Sequence, residues 1–390
     1  MVDFELWWLL IFPLFFALGW LAARIDMRAV IAGARKLPTN YFRGLAALVD
    51  DDTSEASRRL AEVARQEPGA LDLQIALGKL YRRRGENDLA IRLHQGLLEN
   101  PDLPEPAHDQ IRLELADDFQ RAGLVDRAEE ILTQLTDRPA VASLARSRLL
   151  ALYQQERDWD RAITLAKTLR NDATQFQREL AEFHCELAQA ALFKSDLEQA
   201  RKEVAAAFAA NRRCPRAYLL NGDILLTAGD TEGAITAWQS LENQQPEYLT
   251  LVAERVLGAY DALGRTADGI KLVRGWLETY PQLDLADLLY PRVAQHGGER
   301  EGLSFLRDAV HGYPSLAGIA KLIDAKFGSM DPATRQDAEL AREVVLSHAK
   351  RLRVHRCQHC NFRSKTFFWK CPACGEWESL TPNRSESLSV

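Results

Sequence analysis

At 390 residues, with 47% hydrophobic and 27% charged side chains, the chain is too apolar to be read as disordered and long enough for two or three average domains or one extended array. A net charge of −6 argues against nucleic-acid binding by the chain as a whole and leaves only local basic patches open. Six cysteines are too few for a disulfide scaffold, and four of them fall between residues 357 and 374, which points to a metal.

The first predicted element is a membrane anchor, residues 1–24. Leu6 to Ala23 carry no charge, and these eighteen residues make about 27 Å of helix at ~1.5 Å per residue, just enough to cross a bilayer. Pro13 kinks such a span without forbidding it, and Trp7, Trp8 and Trp20 sit towards its ends, where indole rings favour the headgroup boundary. A cleaved secretory signal would need a basic start, whereas Asp3 and Glu5 precede the apolar run. Arg24, Arg28, Arg35, Lys36 and Arg43 follow it, so residues 25–36 form a basic juxtamembrane linker and the remainder is expected to face the cytoplasm.

Residues 37–352 read as helix throughout, with apolar positions at i, i+3 and i+4 and breaks at Gly or Pro. A small residue recurs near the start of every second helix, at Ala56, Ala90, Ala128, Ala162, Ala200, Ala234, Gly269 and Gly302, with steps between 33 and 38 residues. That period is that of the tetratricopeptide repeat, whose paired helices need a small side chain where they cross. Gly78, Tyr81, Ala90 and Pro101 in one unit, and Gly222, Gly229, Ala234 and Pro246 in another, fall in register. Leu316 to Phe327 and Arg335 to Leu352 close the stack or form a ninth pair. The predicted fold is therefore all-α, a superhelical solenoid of about eight to nine helical pairs with a concave, protein-binding groove; a mere spacer is the plainer alternative. Ile75 with Lys79, and Leu219 with Asp223, do not supply the lysine and asparagine positions of a carboxyl-terminus clamp.

Residues 353–380 form a four-cysteine knuckle. Cys357, Cys360, Cys371 and Cys374 make two C-x-x-C pairs ten residues apart, which direct four thiolates to one point and suit one tetrahedral zinc or iron ion. Pro372, Gly375 and Asn361 suit the turns that follow each pair. Disulfides conflict with the cytoplasmic side, and a fully ligated ion leaves no open position for hydrolysis, so the metal reads as structural; electron transfer by iron stays open. Lys350, Arg351, Arg353, Arg356, Arg363, Lys365 and Lys370 outnumber Glu376 and Glu378 here, with Phe367, Phe368 and Trp369 interleaved. Such a patch could bind single-stranded RNA, face acidic repeats, or contribute Phe368 and Trp369 to the core of a small domain. His355 and His359 could orient the knuckle, and residues 381–390 form a flexible polar tail.

No phosphate-loop, dinucleotide, nucleophile-elbow or H-E-x-x-H motif occurs, so catalysis has no foothold and the chain reads as non-enzymatic. Cys185 and Cys214 stand alone and read as buried free thiols.

Anchor, repeats and knuckle together resemble the lipopolysaccharide assembly protein B family of Gram-negative bacteria. The resemblance covers the whole chain and is carried most specifically by LGKLYRRRGENDLAIRLHQGLL at Leu77 to Leu98 and RCQHCNFRSKTFFWKCPACGEW at Arg356 to Trp377. Asn361 departs from it, since glycine is usual after the first cysteine pair. The resemblance implies a rubredoxin-like or zinc-ribbon knuckle whose metal ligands are the four cysteines. It also implies a single-pass inner-membrane adaptor that regulates lipopolysaccharide biosynthesis. Such an adaptor brings UDP-3-O-acyl-N-acetylglucosamine deacetylase, the committed enzyme of lipid A synthesis, to the membrane protease FtsH for degradation. An inner-membrane regulatory protein with a periplasmic domain is a further implied partner; nucleic acid is not. The alternatives are a membrane-tethered iron electron carrier and an RNA-binding scaffold using the basic aromatic knuckle.

Overall fold

The computed structural model describes Trp20 and residues 39–67, 69–168, 174–283, 285–352 and 354–384. Apart from Trp20, the expected anchor and basic linker lie outside these residues, as does the tail from 385 onward. Among the described residues no helix is long and apolar enough to cross a membrane.

The chain divides into two compact units, residues 1–156 and 157–390. The first holds α1 (Thr39–Val49), α2 (Thr53–Gln66), α3 (Leu71–Arg83), α4 (Asn87–Leu98), α5 (Glu105–Arg121), α6 (Val125–Leu135) and α7 (Ala142–Glu156). The second holds α8 (Trp159–Thr168), α9 (Thr174–Phe193), α10 (Leu197–Ala210), α11 (Pro215–Thr227), α12 (Thr231–Gln244), α13 (Leu249–Ala262), α14 (Thr266–Thr279), α15 (Ala286–Gly297), α16 (Glu299–Gly312), α17 (Leu316–Lys326) and α18 (Pro332–Leu352). It ends in a two-stranded antiparallel ribbon, β1 (His355–Arg356) and β2 (Arg363–Ser364), with His355 opposite Ser364.

The helices start and stop where local chemistry tells them to. Asp52, Asp196, Asp230 and Ser315 cap α2, α10, α12 and α17 by accepting a backbone N–H three residues on. Most first helices of pairs end at a residue with positive φ, and Gly85, Gly123, Gly229 and Gly264 meet that need without a Cβ clash. Ser195 takes the same conformation at φ 61°, at a cost of about 1–2 kcal/mol for an L-residue.

All eight recurring small residues are buried, and the geometry explains why they are small. A Cβ added to Gly269 would come within 2.8 Å of the Cβ of Tyr260, and one on Gly302 within 2.7 Å of the Cβ of Ala294. In two pairs a large side chain four residues after the small position leans on the first helix of the same pair. His94 covers Gly78 and Trp238 covers Gly222 so closely that no side chain would fit at either glycine. Trp238 is fully buried and its Nε1–H donates to the Leu219 carbonyl at 3.1 Å.

Successive pairs are joined by both apolar and ionic contacts. In the first unit Arg82 of α3 reaches α5, 2.7 Å from Glu114 and 2.7 Å from Asp118, and Lys79 lies 3.2 Å from Glu114. Lys79 is thus engaged within the array. In the second unit one core runs through Trp238, Leu249, Val256, Val273, Trp276, Leu289 and Phe305. The closing pair α17 and α18 packs together as expected, with α18 beginning at Pro332, three residues before the predicted start.

Candidate metal centre and its seat on the repeats

The knuckle is two short hairpins, each carrying one cysteine pair at its turn. Cys357 N–H donates to Phe362 O at 2.8 Å, and Cys371 N–H donates to Glu376 O at 2.9 Å, which closes each C-x-x-C loop. Asn361 at φ 66° and Gly375 at φ 75° take the left-handed conformation just after the second cysteine of each pair, where the sequence placed them. Isolated bridges pair Cys357 with Leu380 and Lys370 with Trp377, so the chain after the last cysteine folds back over both hairpins. Leu380, Cys357 and Cys371 are buried together, with Phe362, Phe367 and Cys374 against them.

The four predicted cysteines gather into a rubredoxin-like metal-binding site. Their sulfurs all lie within 4.8 Å of one another, and the edges Cys357–Cys374 and Cys360–Cys371 each measure 3.7 Å. A tetrahedron of thiolates around zinc, with bonds of about 2.3 Å, has edges of about 3.8 Å; the donor set fits. Electrostatics also favour a cation. Burial opposes ionisation of Cys357, but Ser379 and the backbone N–H groups of Cys360 and His359 outweigh it and bring the thiol down to about 6. Burial and the adjoining sulfurs push Cys374 up to about 12. The Cys357 thiolate forms readily, Cys374 resists, and a divalent ion would supply the positive charge that favours the ionised form. His355, expected to orient the knuckle, is buried and donates from Nδ1 to the Thr381 carbonyl at 2.8 Å, pinning the segment that folds back.

The knuckle is seated on the repeats of its own unit. Trp369 stacks on Tyr248 with ring centres 5.6 Å apart and planes 2° from parallel, and Phe367 meets the same tyrosine edge-on at 6.4 Å. Trp377 packs edge-on against Phe183 at 6.1 Å and Trp159 at 6.2 Å. Arg216 of α11 lies over the Trp369 ring at 5.8 Å while its Nη1 donates to Glu182 at 3.0 Å and Glu186 at 2.8 Å. The aromatic run that could have been a small core or an RNA platform is therefore divided. Phe367 and Trp369 face the repeats, and Phe368 stays exposed. Of the basic residues, Lys370 turns toward Glu179 and Glu186, whereas Lys350, Arg351, Arg363 and Lys365 remain on the surface.

Sequence reasoning missed the repeat side of this seat. Trp159, Phe183, Arg216 and Tyr248 look like ordinary repeat residues, and Cys185 and Cys214, read as solitary, are buried 3.8 Å apart. The legible signal was an excess: a knuckle of this size has no interior for both Trp369 and Trp377.

Residues 355–382 match the rubredoxin metal binding domain family, and residues 73–105 and 185–246 match tetratricopeptide repeat families. Along almost its whole length the chain is similar to proteins named lipopolysaccharide assembly protein B. It is 27% identical to that of Escherichia coli (strain K12) over 378 residues, covering 96% of this chain and 97% of the relative. It is 26% identical to that of Haemophilus influenzae, with the same coverage. Among solved structures, a tetratricopeptide repeat protein from Parabacteroides merdae aligns at 14% identity and a TM-score of 0.35, over 61% of this chain and 91% of its own.

Proposed function

We propose that the chain is a non-enzymatic adaptor in lipopolysaccharide assembly, held at the inner membrane by residues 1–24 with its repeats in the cytoplasm. The observation that carries this reading is similarity to lipopolysaccharide assembly protein B over 96% of this chain, which itself carries tetratricopeptide repeats followed by the rubredoxin-type knuckle. The finer reading is that the adaptor presents UDP-3-O-acyl-N-acetylglucosamine deacetylase to the FtsH protease, under the influence of an inner-membrane regulatory protein. Its mechanism is proximity. Confinement to the bilayer raises the effective concentration of client near protease, and no bond is broken by this chain.

In this reading Cys357, Cys360, Cys371 and Cys374 together hold one ion, zinc or iron. The ion supplies a structural cross-link: it neutralises the thiolates and ties both hairpins together, so that Trp369 and Trp377 project as one rigid surface onto the repeats.

The test is the half-life of the deacetylase in cells depleted of this protein, compared with cells expressing it without residues 1–23. A longer half-life on depletion, not restored by the unanchored form, supports the membrane-bound adaptor. Unchanged turnover in depleted cells overturns it.

A further inference from the structure

Under the knuckle lies a polar cluster that the metal centre does not use. Glu182 on α9 is fully buried, and Glu378 of the knuckle is lowered onto it. One carboxylate oxygen of each and the sulfur of Cys214 lie within 4.8 Å of one another. Arg216 gives Nη1 to Glu182 and Glu186 and Nη2 to Gln189, at 2.5 Å, and its Nε is buried without a partner; none of these bonds goes to Glu378. Glu378 Oε1 is buried with no hydrogen-bond partner. Two carboxylates this close in a desolvated seam cannot both be ionised; one proton between them turns repulsion into a hydrogen bond.

We propose that the knuckle is latched to the repeats by one proton shared between Glu182 and Glu378, so that its seating is proton-coupled. This stands apart from the adaptor reading and rests only on the contact between knuckle and repeats.

The surroundings of Glu378 sharpen the point. From α9 it faces Arg178 as well as Glu182, with Glu179, Cys185 and Glu186 farther along the same helix. Cys214 and Arg216 come from the start of α11, Glu247 and Tyr248 from the turn before α13, and Lys370 and Glu376 from the knuckle itself. Acids outnumber bases, and Lys370 faces Glu179 and Glu186. Burial, then the charge of Glu182, push Glu378 up to about 8, and burial raises Glu182 despite Arg216. Both thiols and Tyr248 are pushed up as well and stay neutral alongside the pair. A cleft of about 630 Å³ along the seam, lined in part by Arg178, Gln245, Gln358 and Glu378, gives the proton a route to water.

The sign follows from linkage. A lifted knuckle exposes Glu378, which then titrates in the usual range near about 4.3. Seating therefore takes up a proton at pH values between that and about 8. It is tightest in acid, weakens about tenfold per pH unit as the pH rises through this window, and levels off above it.

Alkylation of Cys214 in the metal-loaded full chain in detergent micelles reads the lifting, with each rate divided by that of the same cysteine in the unfolded chain at the same pH. Between pH 6 and pH 8 the corrected rate should rise about fiftyfold. Glu378→Gln, whose amide can donate to the Glu182 carboxylate, should abolish that dependence. Trp369→Ala should raise the rate at every pH and keep the slope, showing that the signal reports unseating. A flat wild-type profile overturns the proposal. So does a Glu378→Gln profile parallel to wild type, which would assign the proton to His355 or His359, or release of metal in step with the rate. Two metal ions per chain would also overturn it, because a cation rather than a proton would then join Glu182, Cys214 and Glu378.

Discussion

The knuckle and the repeats that seat it are ordered in opposite ways. The knuckle concentrates its order at four sulfurs within 4.8 Å of one another, with three buried residues as its core. The repeats spread theirs over helix crossings that recur every 33 to 38 residues, each with its own small residue. A structure of the first kind fails as a whole when one ligand is lost, because the metal's free energy is the folding free energy. One of the second kind loses stability by increments, since each pair contacts only its neighbours.

The largest expected effect is that of Cys371→Ser, which removes a ligand 1% exposed. The knuckle should unfold and metal content, measured by emission spectrometry, should fall from one ion per chain to none. Retention of a full equivalent of metal would break the comparison. Next is Trp276→Ala in α14, where a side chain 1% exposed also loses the bond from its Nε1–H to Glu242 at 2.9 Å. It should cost about 3–5 kcal/mol in chemical denaturation of the second unit while leaving the metal in place. Trp369→Ala belongs between the two regions. Losing the stack on Tyr248 should weaken seating by about 1–3 kcal/mol with the metal still bound, seen as faster hydrogen exchange at residues 245–252. If metal is lost along with seating, the two regions are less separable than their geometry implies. The smallest effect is expected at Asn361→Gly. The substitution relieves the positive φ but gives up the contact of the Asn361 amide with Arg356, so thermal stability of the metal-loaded knuckle should move by no more than about 1 kcal/mol.

Much of this division is legible in the amino-acid sequence. The recurrence from Ala56 to Gly302 locates the helix crossings because a close approach of two backbones tolerates only Gly or Ala, whatever surrounds it. The metal centre is legible for a similar reason: two C-x-x-C turns converge by local geometry, and Gly375 and Asn361 mark the positive φ each turn needs. Trp369 is harder. Next to Phe367 and Phe368 it fits a miniature core or a stacking platform equally well, and neither is its place.

The sequence by itself thus determined the elements, the repeat register and the four-sulfur site, since each depends on residues within one or two turns or within one repeating unit. Only the tertiary structure decided that Trp369 meets Tyr248, that Trp377 meets Phe183, and that Glu378 descends onto Glu182 beside Cys214. Those partners are more than a hundred residues apart along the chain. Their meeting depends on the summed rotation of several stacked helical pairs, a quantity to which every crossing contributes and which no local pattern records.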